Sequence, residues 1–283
     1  MDIHADLHLH TVVSDGTNTP EEMLLAARDL GLTRLSFTDH DAVGAFRHFT
    51  PDLIGHARSL GIELTTGIEL DSDYLGREIH LLGYGIDPAA PGLNEYLDYT
   101  QGLRRQRVTE QIEGINGHFR RQVVDPAKVF LPNRDTLMKP HLVHAMLDQG
   151  LFSEYREAAH WLSDHVRART FVPKLEVADA IRLIVAAGGQ PVLAHPGYLV
   201  REAKLDLEAM LDLLIPAGLV GIEVWYRYFQ TGPAFPDRES ERSMIAILEE
   251  TASRRHLLAT RGSDAHDLAA MAAFSAPPVD GRP

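Results

Sequence analysis

Short apolar runs recur along the chain at Ile3 to Leu9, Arg34 to Thr38, Ile62 to Ile68, Glu78 to Gly85, Pro191 to Ala194, Val220 to Trp225 and Leu257 to Thr260. Runs this short predict strands. Between several of them the pattern changes to a helical period. Thr19-Pro-Glu-Glu offers a hydroxyl cap, a proline at the first turn and acids near the positive helix end, after which Met23, Leu24, Ala27 and Leu30 repeat at helical spacing. Gly31 then stops the helix. Asp52 to Leu60, Val177 to Ala187, Leu205 to Ile215 and Glu239 to Ser253 read alike, with Gly61, Gly188-Gly189 and Gly218 closing the first three. Alternating strand and helix predicts an α/β fold built on a parallel sheet or barrel.

The alternation fails between about Asn94 and Leu175, where amphipathic helical patterns dominate. Residues 1–93 and 176–283 therefore read as one barrel, and 94–175 as an inserted helical cap. The insertion lies between the fourth and fifth strand runs, so its connections are expected at the barrel mouth, where it can cover a site. Beyond His266, an alanine-rich stretch from Ala269 to Ala273 predicts a weak helix, and Pro277-Pro278 opens a loose tail.

Composition narrows the function. The chain has 283 residues, within reach of a single barrel of roughly 250 residues plus an insertion. It has no cysteine, which leaves imidazole and carboxylate as metal donors. A net charge of -13 argues against long nucleic acid held by its phosphates and favours small substrates. Bound divalent ions would still make a cationic mouth inside an acidic shell. No run approaches the roughly 20 apolar residues that cross a bilayer, and MDIHADLHLH lacks a basic and then hydrophobic leader, so a cytoplasmic protein with no membrane contact is expected.

Nearly every strand run leads into a residue able to hold a metal ion. His8 and His10 are two apart on a strand, so both leave one face roughly 7 Å apart. Asp264 and His266 repeat the spacing. Either pair alone reads as well as a surface accident or a set of barrel-end hydrogen bonders as it does as a pair of metal ligands. Within Thr38-Asp-His-Asp, His40 is the ligand candidate, while Asp39 and Asp41 can cap the following helix. Asp15, in Ser14-Asp-Gly, is a ligand or a turn former. Glu69 can bridge two ions, which a single imidazole nitrogen cannot, or form a barrel-end salt bridge. His80 and His195 follow apolar runs and, taken singly, read as structural histidines; Glu223 reads as a support for ligands. Their joint recurrence favours a cluster of two or three divalent ions, manganese, iron or zinc, with a metal-bound hydroxide as attacking group. Phosphate ester hydrolysis is the natural reaction, although such sites also serve amide, lactone and deamination chemistry.

The motifs Asp6-Leu-His-Leu-His-Thr with Ser14-Asp-Gly, Thr38-Asp-His-Asp, Gly67-Ile-Glu, Leu193-Ala-His-Pro and Gly262-Ser-Asp-Ala-His resemble those of the PHP (polymerase and histidinol phosphatase) phosphoesterase family. The resemblance implies a distorted seven-stranded, TIM-like barrel. It also implies one ion shared by His8, His10, Glu69 and Asp264, a second on Glu69, His80 and His195, and a third on Asp15, His40 and His266. Among family branches the chain is most similar to nucleotide phosphatases and short-RNA trimming enzymes, in which Lys139-Pro-His-Leu resembles a cap motif that usually begins with arginine and Phe171-Val-Pro its exit.

The resemblance makes Lys139 and His141 candidate phosphate or leaving-group contacts, and Asp41 and His141 candidate assistants of the reaction. The segments 161–169 and 225–238 depart from the branch pattern; Arg167, Arg169, Arg227 and Tyr228 there are candidate substrate readers or ordinary surface and packing residues. The substrate expected is a mononucleotide, a 3',5'-bisphosphate or a very short oligonucleotide. Histidinol phosphate, or a metal-binding regulatory module without turnover, is the alternative.

Overall fold

The computed structural model describes residues 4–229 and 234–275. Ile3, residues 230–233 of the altered 225–238 segment, and the Pro277-Pro278 tail lie outside the described residues. The strands are β1 (Ala5–Leu9), β2 (Arg34–Phe37), β3 (Glu63–Tyr74), β4 (Arg77–Tyr84), β5 (Leu175–Glu176), β6 (Gln190–Leu193), β7 (Gly221–Trp225) and β8 (Leu258–Arg261). Seven of them follow one another in the order β1-β2-β3-β4-β6-β7-β8, while the short β5 pairs with β3 to one side. The ends of this path meet: Leu9 bridges Ala265, His10 N donates to Ala265 O at 3.0 Å, and Arg261 donates to Ala5 O. The result is a nearly closed seven-stranded barrel.

One strand runs against the expectation of a wholly parallel barrel. β4 is antiparallel to both β3 and β6, and β3 continues five residues past the glutamate at which it was expected to stop. The cause is the two-residue turn Leu75-Gly76, whose φ values are 55° and 77°. Two successive positive φ values make a tight hairpin that matches strand twist, and such a hairpin can only return antiparallel. His80 consequently sits inside a strand, directly across from Asp71, and not at a strand's carboxyl end.

Side-chain alternation sorts the barrel's two faces. On β4, Ile79 and Leu81 join the core formed with the helices Val177–Ala186, Leu207–Ala217 and Arg238–Arg255, while His80, Leu82 and Tyr84 lie on the opposite face. On the other side of the barrel Leu9, Leu35 and Phe37 pack against the helices Pro20–Asp29 and Leu53–Ser59. Each fully buried Leu, Ile or Phe stabilises the fold by about 1.5–3 kcal/mol. The first helix starts as its sequence dictates: Glu22 N donates to Thr19 Oγ1 at 3.2 Å and Thr19 N to Glu22 Oε2 at 2.8 Å.

Between β4 and β5 run the helices Pro91–Phe119, Pro126–Val129, Lys139–Asp148 and Tyr155–His165. The first is shared. Its Leu93 and Leu97 bury against the barrel's helices, whereas Val108, Ile112 and Ile115 build a separate core with Leu142, Val143, Met146 and Leu162. No described helix is long and apolar enough to cross a membrane.

Candidate metal centre and adjoining cleft

Three strands place the first ligands. His8 is the next-to-last residue of β1 with His10 just past its end, Glu69 lies within β3, and Asp264 follows β8. His8 Nε2 and His10 Nε2 both stand 3.1 Å from Glu69 Oε2, and His10 Nε2 stands 3.0 Å from Asp264 Oδ1. The other oxygen, Glu69 Oε1, faces His80 Nδ1 at 3.0 Å and His195 Nε2 at 3.4 Å. Asp15 Oδ1 meets His266 Nε2 at 3.3 Å and His10 Nδ1 at 3.8 Å. Four sets have ligand atoms all within 4.8 Å of one another: His8, His10, Glu69 and Asp264; Glu69, His80 and His195; His10, Asp15, His40 and His266; and His40, Asp71 and His80. All nine histidines and carboxylates singled out as ligands thus meet at one mouth, with Glu69 common to two sets.

The donors aim past one another. His10 Nδ1 and Nε2, Asp15 Oδ1, Glu69 Oε1 and His195 Nδ1 are buried without a hydrogen-bond partner, although several have oppositely charged atoms within ion-pair distance. Buried polar atoms are ordinarily paired, and short contacts lacking hydrogen-bond angles suit ligands that converge on a shared cation. An all-nitrogen-and-oxygen donor set fits manganese, iron or zinc. Strained backbone sits at the same place: Asp41, His195 and Asp264 have φ of 43°, 30° and 54°. Left-handed non-glycine residues concentrate where a site over-determines the chain. Gly262 is required for a different reason, since a Cβ there would lie 2.2 Å from His8 Cβ and 2.5 Å from Glu223 Oε1.

Electrostatics follow from the crowding. Burial opposes a charged imidazole, yet the surrounding carboxylates raise His8, His10, His40, His80 and His266 above the usual histidine range, His40 to about 9. Burial would likewise raise Glu69 and Asp264, but these histidines hold both well below the usual carboxylate range. Raised histidines stabilise the metal-free fold below their unfolded value near 6.5, and that contribution is lost as pH climbs through the folded value. The chelated protein is therefore expected to lose thermal stability between about pH 6.5 and 9, while added metal, which needs the same nitrogens unprotonated, stabilises it increasingly over that span. Paired melting curves with and without manganese check this. Parallel curves would show that the histidines do not bind the ion.

Other residues hold the ligands in place. Glu223 is wholly buried, accepts from His8 Nδ1 at 3.0 Å and accepts from His195 N at 2.8 Å. Asp39 does not cap a helix: it accepts from Thr11 N and Ser14 Oγ, both at 2.7 Å, and from Thr11 Oγ1, tying the loop that carries Asp15. Asp41 does not cap one either. Its Oδ1 accepts from Asp71 N at 3.1 Å and its Oδ2 from Arg104, so both oxygens hold neighbouring residues in place. Sequence reasoning missed Asp71, Arg104 and Tyr226, whose hydroxyl donates to Asp264 Oδ2 at 2.9 Å. Had β3 been read past Glu69, the period of two would have put Asp71 on the same face.

A cleft of about 580 Å3 adjoins the mouth between barrel and cap, lined by Asp71 and Glu78 on one side and by Arg104, Arg107, Lys139, Arg167 and Lys174 among others. Arg104 pairs with Asp41 and Asp71, and Lys174 pairs with Glu78. Arg107, Lys139 and Arg167 have no carboxylate at ion-pair distance among the described residues, and Lys139 Nζ donates only to Ser163 Oγ at 2.7 Å. Arg169 and Arg227 do not line this cleft; Arg169 is exposed, with its backbone N donating to Glu110. Tyr228 is a core residue whose ring stacks on Phe235 and whose hydroxyl accepts from Gly197 N at 3.0 Å. His141 is pinned at both nitrogens: Nε2 donates to Ser14 O at 2.9 Å, and Nδ1 accepts from Met138 N at 3.0 Å. Burial and then Arg134 push it down to about 4, so it is neutral and fastens the cap to the loop bearing Asp15.

Comparison with known proteins agrees with this geometry. Residues 6–177 match the PHP domain family. A phosphoribosyl 1,2-cyclic phosphate 1,2-diphosphodiesterase from Eggerthella lenta is 31% identical over 92% of this chain and 93% of its own. A 3',5'-nucleoside bisphosphate phosphatase from Chromobacterium violaceum is 30% identical over 77% of this chain and 75% of its own. A solved structure from Bifidobacterium adolescentis, described as a metal-dependent phosphoesterase, superposes with a TM-score of 0.74 at 25% identity and covers 98% of each chain. The matched stretch includes the strands and loops that carry His8, His10, His40, Glu69 and His80, and on that ground the chain belongs to the PHP family and is a phosphoesterase.

Proposed function

We propose that this enzyme hydrolyses a phosphate ester of a small nucleotide bearing a second phosphate, such as a 3',5'-bisphosphate or a very short oligonucleotide. The observation that carries the reading is the group of three cations with no carboxylate at ion-pair distance among the described residues, Arg107, Lys139 and Arg167, in a cleft that opens onto the ligand cluster. Cations left without carboxylates beside a metal-binding mouth favour an anion placed away from the reacting phosphate. A relative that acts on nucleoside bisphosphates supports the same choice.

The nine ligands would hold two or three divalent ions, with Glu69 shared between neighbouring positions. Bound ions supply an activated water and a positive field for the charge that develops on the phosphoryl oxygens. The chain's own contribution is placement. Arg107, Lys139 and Arg167 fix the second phosphate, His141 ties the cap down, and the cap over 94–175 limits the length of substrate that fits.

The test is a panel of mononucleotides, 3',5'-bisphosphates, short RNA and histidinol phosphate on metal-reconstituted protein. Arg107→Ala, Lys139→Ala and Arg167→Ala should each raise KM for the bisphosphate by roughly 10- to 100-fold with kcat nearly kept, because a hydrogen bond to a charged group contributes about 1.5–3 kcal/mol. Turnover of p-nitrophenyl phosphate should change little. Hydrolysis of histidinol phosphate with no nucleotide accepted would overturn the substrate assignment.

A further inference from the structure

We propose that Asp71 is a positioning residue for His40, and that Arg104 holds Asp71 in that duty from the cap's long helix. The proposal rests on the metal reading above. β3 runs past Glu69, and the strand's period of two carries Asp71 to the same face, buried at 2% exposure. Its two oxygens divide their work. Oδ1 accepts from His40 Nδ1 at 3.1 Å, while Oδ2 accepts from Arg104 Nη2 at 2.8 Å. Its backbone N donates to Asp41 Oδ1 at 3.1 Å, and Asp41 Oδ2 accepts from the same Arg104 Nη2. His80 Nε2, at 3.6 Å, is beyond hydrogen-bond distance from Oδ1.

An imidazole that gives one N–H to a carboxylate is fixed in ring orientation and tautomer, and presents its other nitrogen as the stronger ligand. With Nδ1 turned to Asp71, the second nitrogen of His40 is the one left for the set with His10, Asp15 and His266. Arg104 completes the arrangement. Two buried carboxylates beside each other need a cation between them, and the guanidinium supplies it from Pro91–Phe119, the helix that is shared between barrel and cap. Arg104 therefore lines the cleft without being an anion receptor, and the next turn of the same helix offers Arg107 instead.

Manganese titrations of the full chain, followed by electron paramagnetic resonance and calorimetry, test the assignment without using activity. Asp71→Asn keeps an oxygen for His40 but loses its charge and one acceptor for Arg104; Arg104→Gln frees Oδ2. Both should weaken one ion by about 10- to 100-fold and leave the others unchanged, Arg104→Gln by the smaller factor. Unchanged affinity for every ion overturns the proposal. So does complete loss of one ion in Asp71→Asn at saturating manganese, which would make Asp71 a ligand itself. Should Asp71→Asn fail to fold, Arg104→Gln carries the same measurement. Failure of the unsubstituted chain to bind any ion would instead reject the metal reading.

Discussion

Glu69→Gln is expected to abolish turnover, lowering kcat by roughly a thousandfold or more, while the barrel stays folded. The side chain is essentially buried, and its two oxygens serve different neighbours: Oε2 faces His8 and His10, and Oε1 faces His80 and His195. Glutamine keeps the shape but has one acceptor oxygen and an amide that cannot ligate a cation. Whichever way the amide turns, one set loses its shared oxygen and both lose the negative charge. Metal content should therefore drop for two ions together, and not for one. Elemental analysis alongside phosphate release checks this, and near-normal metal content with a near-normal rate would reject the bridging assignment.

Much of this site was legible because it is written as strand-end punctuation. His8 lies near the end of an apolar run, and His10, His40, His195, Asp264 and His266 follow such runs, whose ends the barrel gathers by geometry alone. His80 was found by its residue type, but the reason for its place was not: it reaches the cluster from the middle of an antiparallel strand. The signal was Leu75-Gly76, a weak turn pair hidden behind Asp71-Ser-Asp, which reads as the end of a strand when each residue is judged by propensity. That same misreading concealed Asp71. Arg104 and Tyr226 could not have been found this way, because their roles depend on the packing of the cap helix and of the segment after β7 against the mouth. Asp39 and Asp41 show the reverse error. Their type suits a helix cap, but tertiary partners at the mouth engage both.

Glu223 touches the same histidine as Glu69, from the opposite side, and its substitution should separate support from ligation. His8 lies between the two carboxylates, with Nε2 toward Glu69 Oε2 and Nδ1 against Glu223 Oε1. Glu223 Oε2 also receives the backbone N–H of His195, a residue held at positive φ. Glu223→Gln must turn its amide toward one of these donors, so one hydrogen bond is lost and a donor is left facing a donor. The ion held by His8 should weaken by about 10- to 100-fold, with the others retained more nearly. Glu223→Ala removes both bonds and uncovers a space against Gly262, and should cost on the order of 3 kcal/mol of stability as well. Urea unfolding of the chelated protein isolates that stability from metal binding. A Glu223→Gln protein with unaltered affinity would mean that packing alone, through the close approach of Gly262, orients His8; a loss of two ions would put Glu223 among the ligands and move the bridge away from Glu69.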